Sequence, residues 1–202
     1  NPGFSFSSNA YIGYFGSGGG EFLGNIDEVE IFDRALSGSE VSSLVNAGGS
    51  GKCKPTATVA PSGLVGWYAG DGNPNDFSGN GLNGTFNNGT TANGDYAVGK
   101  VGQSFTFDGV DDNVTVPDTP ALNPTSAITL DTWLYLTGVP GSSGADIISK
   151  DGETSERQYL LNASNLGKFR AHVGTPGGFA FFDGSTSYQF NTWTHVAMTY
   201  DG

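Results

Sequence analysis

The stretch from residue 24 to residue 49 restricts the possible folds of this chain more than any other part of its sequence. Residues 26–32 alternate with period two and are rich in β-branched side chains, which predicts a strand. In a regular strand, Asp27, Val29 and Ile31 would share one face. The opposite face would carry the other four residues, which are Ile26, Glu28, Glu30 and Phe32. We expect Val29 and Ile31 to be buried against other strands.

A short amphipathic helix is predicted directly after this strand, over residues 37–47. Ser37 and Glu40 form an S-x-x-E capping box, in which each side chain accepts a hydrogen bond from a free backbone N–H of the first turn. Leu36 and Val41 have the spacing of a hydrophobic staple. One face of the helix is apolar and carries Val41, Leu44 and Val45. A helix this short must pack on an apolar surface, so the rest of the chain should supply a sandwich beneath it.

The composition narrows both the fold class and the possible partners. Of 202 residues, 33 are Gly and 14 are Phe, which is typical of many short strands joined by tight turns. The formal net charge is −12, so the chain lacks the basic patch that nucleic acid or an anionic membrane surface requires. No apolar run is long enough to span a membrane. Cys53 is the only cysteine, and we expect an incidental exposed thiol, with an intermolecular bridge as the alternative.

Several short motifs occur in a definite order along the chain. They are I-D-E-V-E-I-F at 26–32, D-F-S-G-N-G at 76–81, F-D-G-V-D-D at 107–112 and W-T-H-V-A-M-T-Y-D-G at 193–202. Together they resemble the laminin-G-like jelly rolls of the concanavalin A-like lectin/glucanase superfamily, which has pentraxin-like relatives. The resemblance implies an all-β fold, a two-sheet antiparallel jelly-roll sandwich with one short helix.

The motif order is unusual, because the segment that closes such a domain comes first. Residues 1–49 resemble the closing strands and terminal helix of a jelly roll, residues 50–63 have linker composition, and residues 64–202 resemble its first and central strands. Three arrangements remain open. Residues 1–49 could close the sandwich of their own chain, as in a permuted domain, close a neighbouring copy, or belong to a preceding repeat.

Catalysis is not expected. Related glucanases use three carboxylates on one face of a strand, whereas here Glu28 and Glu30 share a face and Asp27 points the other way. The two histidines, His172 and His195, lack the spacing of a catalytic triad or a zinc site and are interpreted as structural. Glycan hydrolysis is therefore the weakest of the functions considered.

Aromatic side chains are candidates for both the core and a ligand surface. The three tryptophans fall on positions that match the family and are interpreted as core residues: Trp67, Trp133 and Trp193. The candidate ligand-binding residues cluster in or beside a glycine-rich loop and are Phe179, Phe181, Phe182 and Tyr188. The alternative is an ordinary hairpin that buries its apolar side.

Calcium is the expected small ligand. Asp71, Asp76 and Asn80 lie in a loop dense with glycine, where carboxylates and inward-turned carbonyls can surround a hard cation. The alternative, given equal weight, is that these side chains form turns by bonding their own backbone.

The sequence and its resemblance together predict a non-catalytic extracellular module of recognition or adhesion within a repeat-bearing surface or secreted protein. Its partner would be a carbohydrate or a protein, bound at loops. The alternative is a structural building block that binds like copies of itself and assembles into a filament or sheath. No nucleic acid partner and no membrane span are expected.

Overall fold

The computed structural model describes residues 8–14, 20–47, 60–89, 95–139, 144–151, 157–175 and 178–202. Cys53 and residues 50–59 of the predicted linker lie outside these ranges. The described residues form two antiparallel sheets around one apolar core, with one α-helix. The predicted all-β jelly-roll sandwich is therefore confirmed.

Thirteen strands and one α-helix are defined in the described residues. In chain order they are β1 (Ala10–Ile12), β2 (Leu23–Phe32), α1 (Gly38–Ala47), β3 (Leu64–Tyr68), β4 (Thr85–Asn87), β5 (Tyr96–Val98), β6 (Gln103–Asp108), β7 (Asn113–Val116), β8 (Ile128–Gly138), β9 (Ala145–Asp151), β10 (Arg157–Ala163), β11 (Lys168–Thr175), β12 (Gly178–Ser187) and β13 (Trp193–Tyr200). A 3₁₀ turn, Pro120–Leu122, precedes β8.

The seven-stranded sheet has the order β12-β11-β10-β9-β1-β7-β4. The six-stranded sheet has the order β13-β8-β2-β6-β5, and β3 also pairs with β2. β2 pairs with β8 along one edge. Its other edge pairs first with β6 and then with β3. β2 is thus the strand that connects both halves of the six-stranded sheet.

The strands of the segment 1–49 lie inside the sheets of their own chain. β1 lies between β9 and β7, and β2 lies between β8 and the pair β6 and β3. Val29 and Ile31 are buried in the core, as predicted. In this structure β1 and β2 pair with strands of residues 64–202 of the same chain, and the choice among the three arrangements stays a prediction. The proposed boundaries at 49 and 63 stay a prediction.

A β-bulge in β2 overturns the predicted alternation of its side chains. Asp27 pairs with Trp133, but the next pair joins Glu30 to Asp131, so β2 carries one extra residue. Glu28 occupies that position with a φ of 52°. Because one extra residue reverses the alternation, Asp27 and Glu30 share the outer face, and Ile26, Val29 and Ile31 all face the core. The predicted separation of Asp27 from Glu30 was wrong.

The helix begins as its capping box predicts. The Ser37 N–H donates to Glu40 Oε2 at 2.9 Å, and the Glu40 N–H donates to Ser37 Oγ at 3.3 Å. A second apolar cluster joins the helix to β2 and consists of Phe32, Leu36 and Leu44, with Val41 and Leu64 packed against it. The helix therefore covers the outer face of β2 where that face is apolar.

Candidate functional site

Three carboxylates lie on the outer face of the six-stranded sheet, and we call them the carboxylate row: Asp27, Glu30 and Asp131. All three side chains are buried. Asp27 Oδ2 accepts a hydrogen bond from the Val101 N–H at 2.9 Å. Asp131 lies 3.0 Å from His195 Nε2. These contacts tie the loop after β5 and the outermost strand, β13, to the centre of the sheet.

Burial raises the pKa of Asp27 to about 7. The hydrogen bond from Val101 opposes this rise, and the negative charges of Glu28 and Asp71 add to it. A raised pKa beside other carboxylates is a feature of a general acid in glycoside hydrolysis. Here, however, Asp27 and Glu30 have no exposed surface, so a polysaccharide could not reach them. The row holds the sheet together instead.

The tryptophans lie outside the core, contrary to the interpretation from the sequence. Trp67, Trp133 and Trp193 are half-buried on β3, β8 and β13. Trp133 pairs with Asp27, and Trp67 pairs with Glu30, so both rings share the outer face with the carboxylate row. The Trp67 indole N–H donates to Glu28 Oε2 at 2.7 Å. An indole needs such a polar partner, which an apolar core would not offer.

Exposed aromatic rings occur on β12, an edge strand of the seven-stranded sheet. Phe179 and Phe181 are 44% and 55% exposed. Their ring centroids lie 5.6 Å and 5.9 Å from the imidazole of His172, the residue that pairs with Phe181. Arg170 lies over the Phe181 ring, 4.8 Å from its centroid, and binds Asp183 through two hydrogen bonds of 2.6 and 2.9 Å. We call these five residues the aromatic edge face.

The four predicted ligand residues do not form a single surface. Phe179 and Phe181 belong to the aromatic edge face, whereas Phe182 pairs with Ala171 and points to the other side of the sheet. Tyr188 is half-buried: its hydroxyl donates to the Ser164 carbonyl at 2.8 Å. The sequence did not identify Arg170, His172 and Asp183, although period-two alternation along β11 and β12, with the right hairpin register, would have placed them beside Phe181.

The predicted calcium residues hold a loop together. Asp76 accepts four hydrogen bonds, two from the N–H groups of Trp67 and Leu82 and two from the N–H and hydroxyl of Ser78. Asn80 donates to the carbonyl of Val65 at 2.8 Å. Asp71 instead accepts a bond from the Gln103 N–H at 2.9 Å. This geometry favours the turn interpretation of Asp76 and Asn80, and calcium at these residues stays a prediction.

Comparison with known families found a match for part of the chain. Residues 108–202 match the laminin G-type family model that is described as the Concanavalin A-like lectin/glucanases superfamily. This segment is similar to that superfamily. No curated protein and no solved structure matches the chain. Among the described residues, no helix is both long and apolar enough to cross a membrane.

The laminin G-like segment contains the aromatic edge face and strands from both sheets. The similarity supports a lectin-like module in general. Members of the laminin G-like family are generally non-catalytic. The match begins at Asp108, so the resemblance of residues 24–49 and 64–107 to the same family rests on their motifs and on the pairing of β2 with β8.

A cluster of acidic side chains at the start of the laminin G-like segment was not among the sites predicted from the sequence. Asp108 is the last residue of β6, and Asp111 and Asp112 lie between β6 and β7. Each offers a carboxylate oxygen within 4.8 Å of the others. Asp108 and Asp111 are exposed, whereas Asp112 is only 6% exposed. Burial raises the pKa of Asp112 to about 6. The motif F-D-G-V-D-D contained this signal, but it was interpreted only as a mark of the fold.

Proposed function

We propose that the chain is a non-catalytic recognition module that binds a carbohydrate on the aromatic edge face. The observation that carries this proposal is the pair of exposed rings, Phe179 and Phe181, on a strand where apolar side chains would ordinarily be covered. Exposed apolar groups that cluster in this way mark binding surfaces. The lectin-like family of the segment supports the same class of function.

The chemistry of this face suits a sugar ring. An aromatic ring can cover the C–H face of a pyranose, because both surfaces are flat and apolar. Hydroxyl groups at the edge of the sugar need donors and acceptors, and the guanidinium of Arg170 and the carboxylate of Asp183 are close to Phe181. These two groups already hold each other in place, so little side-chain entropy would be lost on binding.

We place this module outside the cell, on a surface or secreted protein, because laminin G-like domains are commonly extracellular. The net charge of −12 supports solubility and disfavours nucleic acid. A protein ligand would use the same aromatic rings, and the experiment below distinguishes it from a carbohydrate.

A second candidate is self-association, in which the chain serves as a building block. β12 is the last strand at one end of the seven-stranded sheet, and it has ten residues. A long edge strand with exposed apolar side chains can pair with the same strand of another copy. In this arrangement both faces of β12 would contribute, so Phe182 would matter as much as Phe181.

The test compares two neighbouring phenylalanines. Phe181 and Phe182 are 55% and 54% exposed but point to opposite faces, so each variant controls for the other. A glycan array identifies a sugar, and calorimetry then measures its affinity for the wild type, Phe181→Ala and Phe182→Ala. We expect Phe181→Ala to weaken binding on the order of tenfold or more, as for a central aromatic contact, and Phe182→Ala to leave it nearly unchanged.

Other outcomes would reject the carbohydrate proposal. Equal losses in both variants would mean that the aromatic edge face is not the binding surface. If no glycan on the array binds, and the molar mass from light scattering grows with protein concentration, the result would favour self-association. If no glycan binds and the protein keeps the molar mass of a monomer, a protein ligand would be the remaining form of recognition.

A further inference from the structure

We propose that a cavity between the two sheets binds the N-acetyl group of an N-acetylated sugar. The cavity is lined by residues of β10 and β11 from the seven-stranded sheet, of β8 and β13 from the six-stranded sheet, and of the segment just before β8. We call it the inter-sheet cavity. It does not depend on the proposed function, because none of its lining residues belongs to the aromatic edge face.

The first observation is a pair of buried polar atoms at this cavity. Gln158 and Tyr159 are 2% and 1% exposed, and both residues line the inter-sheet cavity. Neither Gln158 Oε1 nor the Tyr159 hydroxyl has a hydrogen-bond partner among the described residues. Unpaired polar atoms in a buried position cost free energy, and a ligand that forms a hydrogen bond with each of them would recover it.

A β-bulge in β10 explains why two consecutive residues line one cavity. Arg157 pairs with Asp151, whereas Tyr159 pairs with Lys150, so β10 carries one extra residue at Gln158. In a regular strand, residues 158 and 159 would point to opposite faces of the sheet. The bulge interrupts this alternation, as the bulge at Glu28 does in β2.

A series of hydrogen bonds determines which end of the Gln158 amide is free. The buried Lys150 binds Asp118 Oδ1 at 2.6 Å. The same oxygen accepts a hydrogen bond from the Asn123 amide at 3.1 Å, and Asn123 Oδ1 accepts one from Gln158 Nε2 at 2.7 Å. An ionised carboxylate can only accept, so both amides donate in the direction of Asp118. The free end of Gln158 is therefore its oxygen, an acceptor.

The lining selects the chemistry of the ligand. Gln158 Oε1 requires a donor, and the Tyr159 hydroxyl can donate, since burial raises the pKa of Tyr159 and keeps it protonated. Ala127, Ile128 and Val173 make part of the wall apolar. An N-acetyl group offers an N–H, a carbonyl and a methyl group that match these three requirements. Of the described residues that line the cavity, none is charged, so an ionised ligand would lack a counter-charge.

The size and position of the cavity suit one chemical group better than a whole ligand. Its volume is about 220 Å³, including the part that opens to solvent, whereas sites that enclose a drug-sized molecule have roughly 300–1,000 Å³. Ser126 lines the cavity and is exposed, so a sugar ring can stay in solvent while its N-acetyl group enters. All the lining residues lie within residues 108–202, whose similarity to a lectin superfamily favours a sugar as the carrier of this group.

The experiment measures binding of N-acetylglucosamine to the full chain. Saturation-transfer NMR and a chemical-shift titration compare this sugar with glucose, which has a hydroxyl in place of the acetamido group. We expect N-acetylglucosamine to bind in the millimolar range, with the largest saturation on its acetyl methyl protons. Glucose should bind at least about tenfold more weakly, because it lacks the amide and the methyl group.

Tyr159→Phe is the decisive variant. It keeps the buried ring and removes a hydroxyl that has no partner within the described part of the chain, so the variant should fold like the wild type. Its affinity for N-acetylglucosamine should fall about threefold to tenfold, the effect of one lost hydrogen bond. The matched control is Phe181→Ala, which changes only the aromatic edge face and should leave the saturation of the acetyl methyl unchanged.

Four results would overturn the inference. One is no binding of N-acetylglucosamine at tens of millimolar, and another is equal affinity for glucose. The third is wild-type affinity in a Tyr159→Phe variant that circular dichroism shows to be folded. If Phe181→Ala then loses the binding, the sugar belongs to the aromatic edge face, and the proposed function stands without this site. The fourth is tighter binding of Nε-acetyl-lysine than of N-acetylglucosamine, which would reject a sugar as the carrier.

Discussion

β2 and β12 reverse the usual distribution of charged and apolar side chains. β2 is the central strand of one sheet, yet it buries Asp27, Glu28 and Glu30. β12 is an edge strand of the other sheet, yet it exposes Phe179, Phe181 and Phe182. Both patterns run against the general preference for apolar interiors and polar surfaces.

The two reversals have different physical consequences. The carboxylates of β2 are compensated by donors from other elements, such as Val101 for Asp27 and Trp67 for Glu28. They hold distant parts of the chain together, and these hydrogen bonds offset part of the cost of burying them. The rings of β12 lie against His172 and Arg170 and stay about half exposed. Apolar rings exposed together at the surface therefore indicate binding, whereas buried carboxylates bonded to other elements of the fold indicate a structural role.

The largest difference between the two strands should appear in stability. Phe32 of β2 is fully buried under the helix, whereas Phe182 of β12 is half exposed. We expect Phe32→Ala to lower the free energy of unfolding by about 3–5 kcal/mol. Phe182→Ala should change it by no more than about 0.5 kcal/mol. Urea denaturation followed by tryptophan fluorescence measures both, and similar losses would show that β12 is packed as firmly as β2.

The pH dependence of stability tests the buried carboxylate of Asp27. Its pKa of about 7 in the folded state exceeds that in the unfolded chain, so between these values the folded protein holds a proton that the unfolded chain has lost. The free energy of unfolding should therefore decrease as the pH rises toward 7, by up to about 1.4 kcal/mol per pH unit. Above that range Asp27 is ionised in both states and this decrease ends.

The control for this prediction is Asp27→Asn, which keeps an acceptor for the Val101 N–H but cannot titrate. Carboxylates remote from Asp27 titrate alike in both proteins, so the difference between the two curves reports on Asp27 and its immediate neighbours. Denaturation curves at about pH 5, 6 and 7 give the slopes. Parallel slopes for the wild type and the variant would mean that Asp27 is ionised in the folded protein throughout.

A modest loss of stability is expected at the cap of the helix that covers β2. Ser37→Ala removes the side chain that accepts the Glu40 N–H, and it should cost about 1 kcal/mol of stability. Leu44→Ala, which opens the apolar cluster beneath, should cost roughly 2–5 kcal/mol. Thermal denaturation of the two variants makes the comparison, and equally small effects would show a helix that is frayed and only loosely packed on Phe32.

The sequence by itself determined the features that depend on a few neighbouring residues. The capping box of Ser37 and Glu40 was readable because its hydrogen bonds join residues three apart. The burial of Val29 and Ile31 followed from their apolar character in a strand that must pack on another sheet. The sandwich fold followed from the order of short motifs, and it did not require the partner of any strand to be known.

Only the tertiary structure decided which side chains share a face and which strands are neighbours. The bulge at Glu28 depends on how β2 pairs with β8, whose residues are about a hundred positions away along the chain. That one extra residue put Asp27 and Glu30 on the same face of the sheet. The pairing of β2 with β8 and β3 puts Trp133 and Trp67 on that face too. The register of β11 and β12 likewise separated Phe181 from Phe182. Pairing between distant strands is set by the whole core, so no local pattern could reveal it.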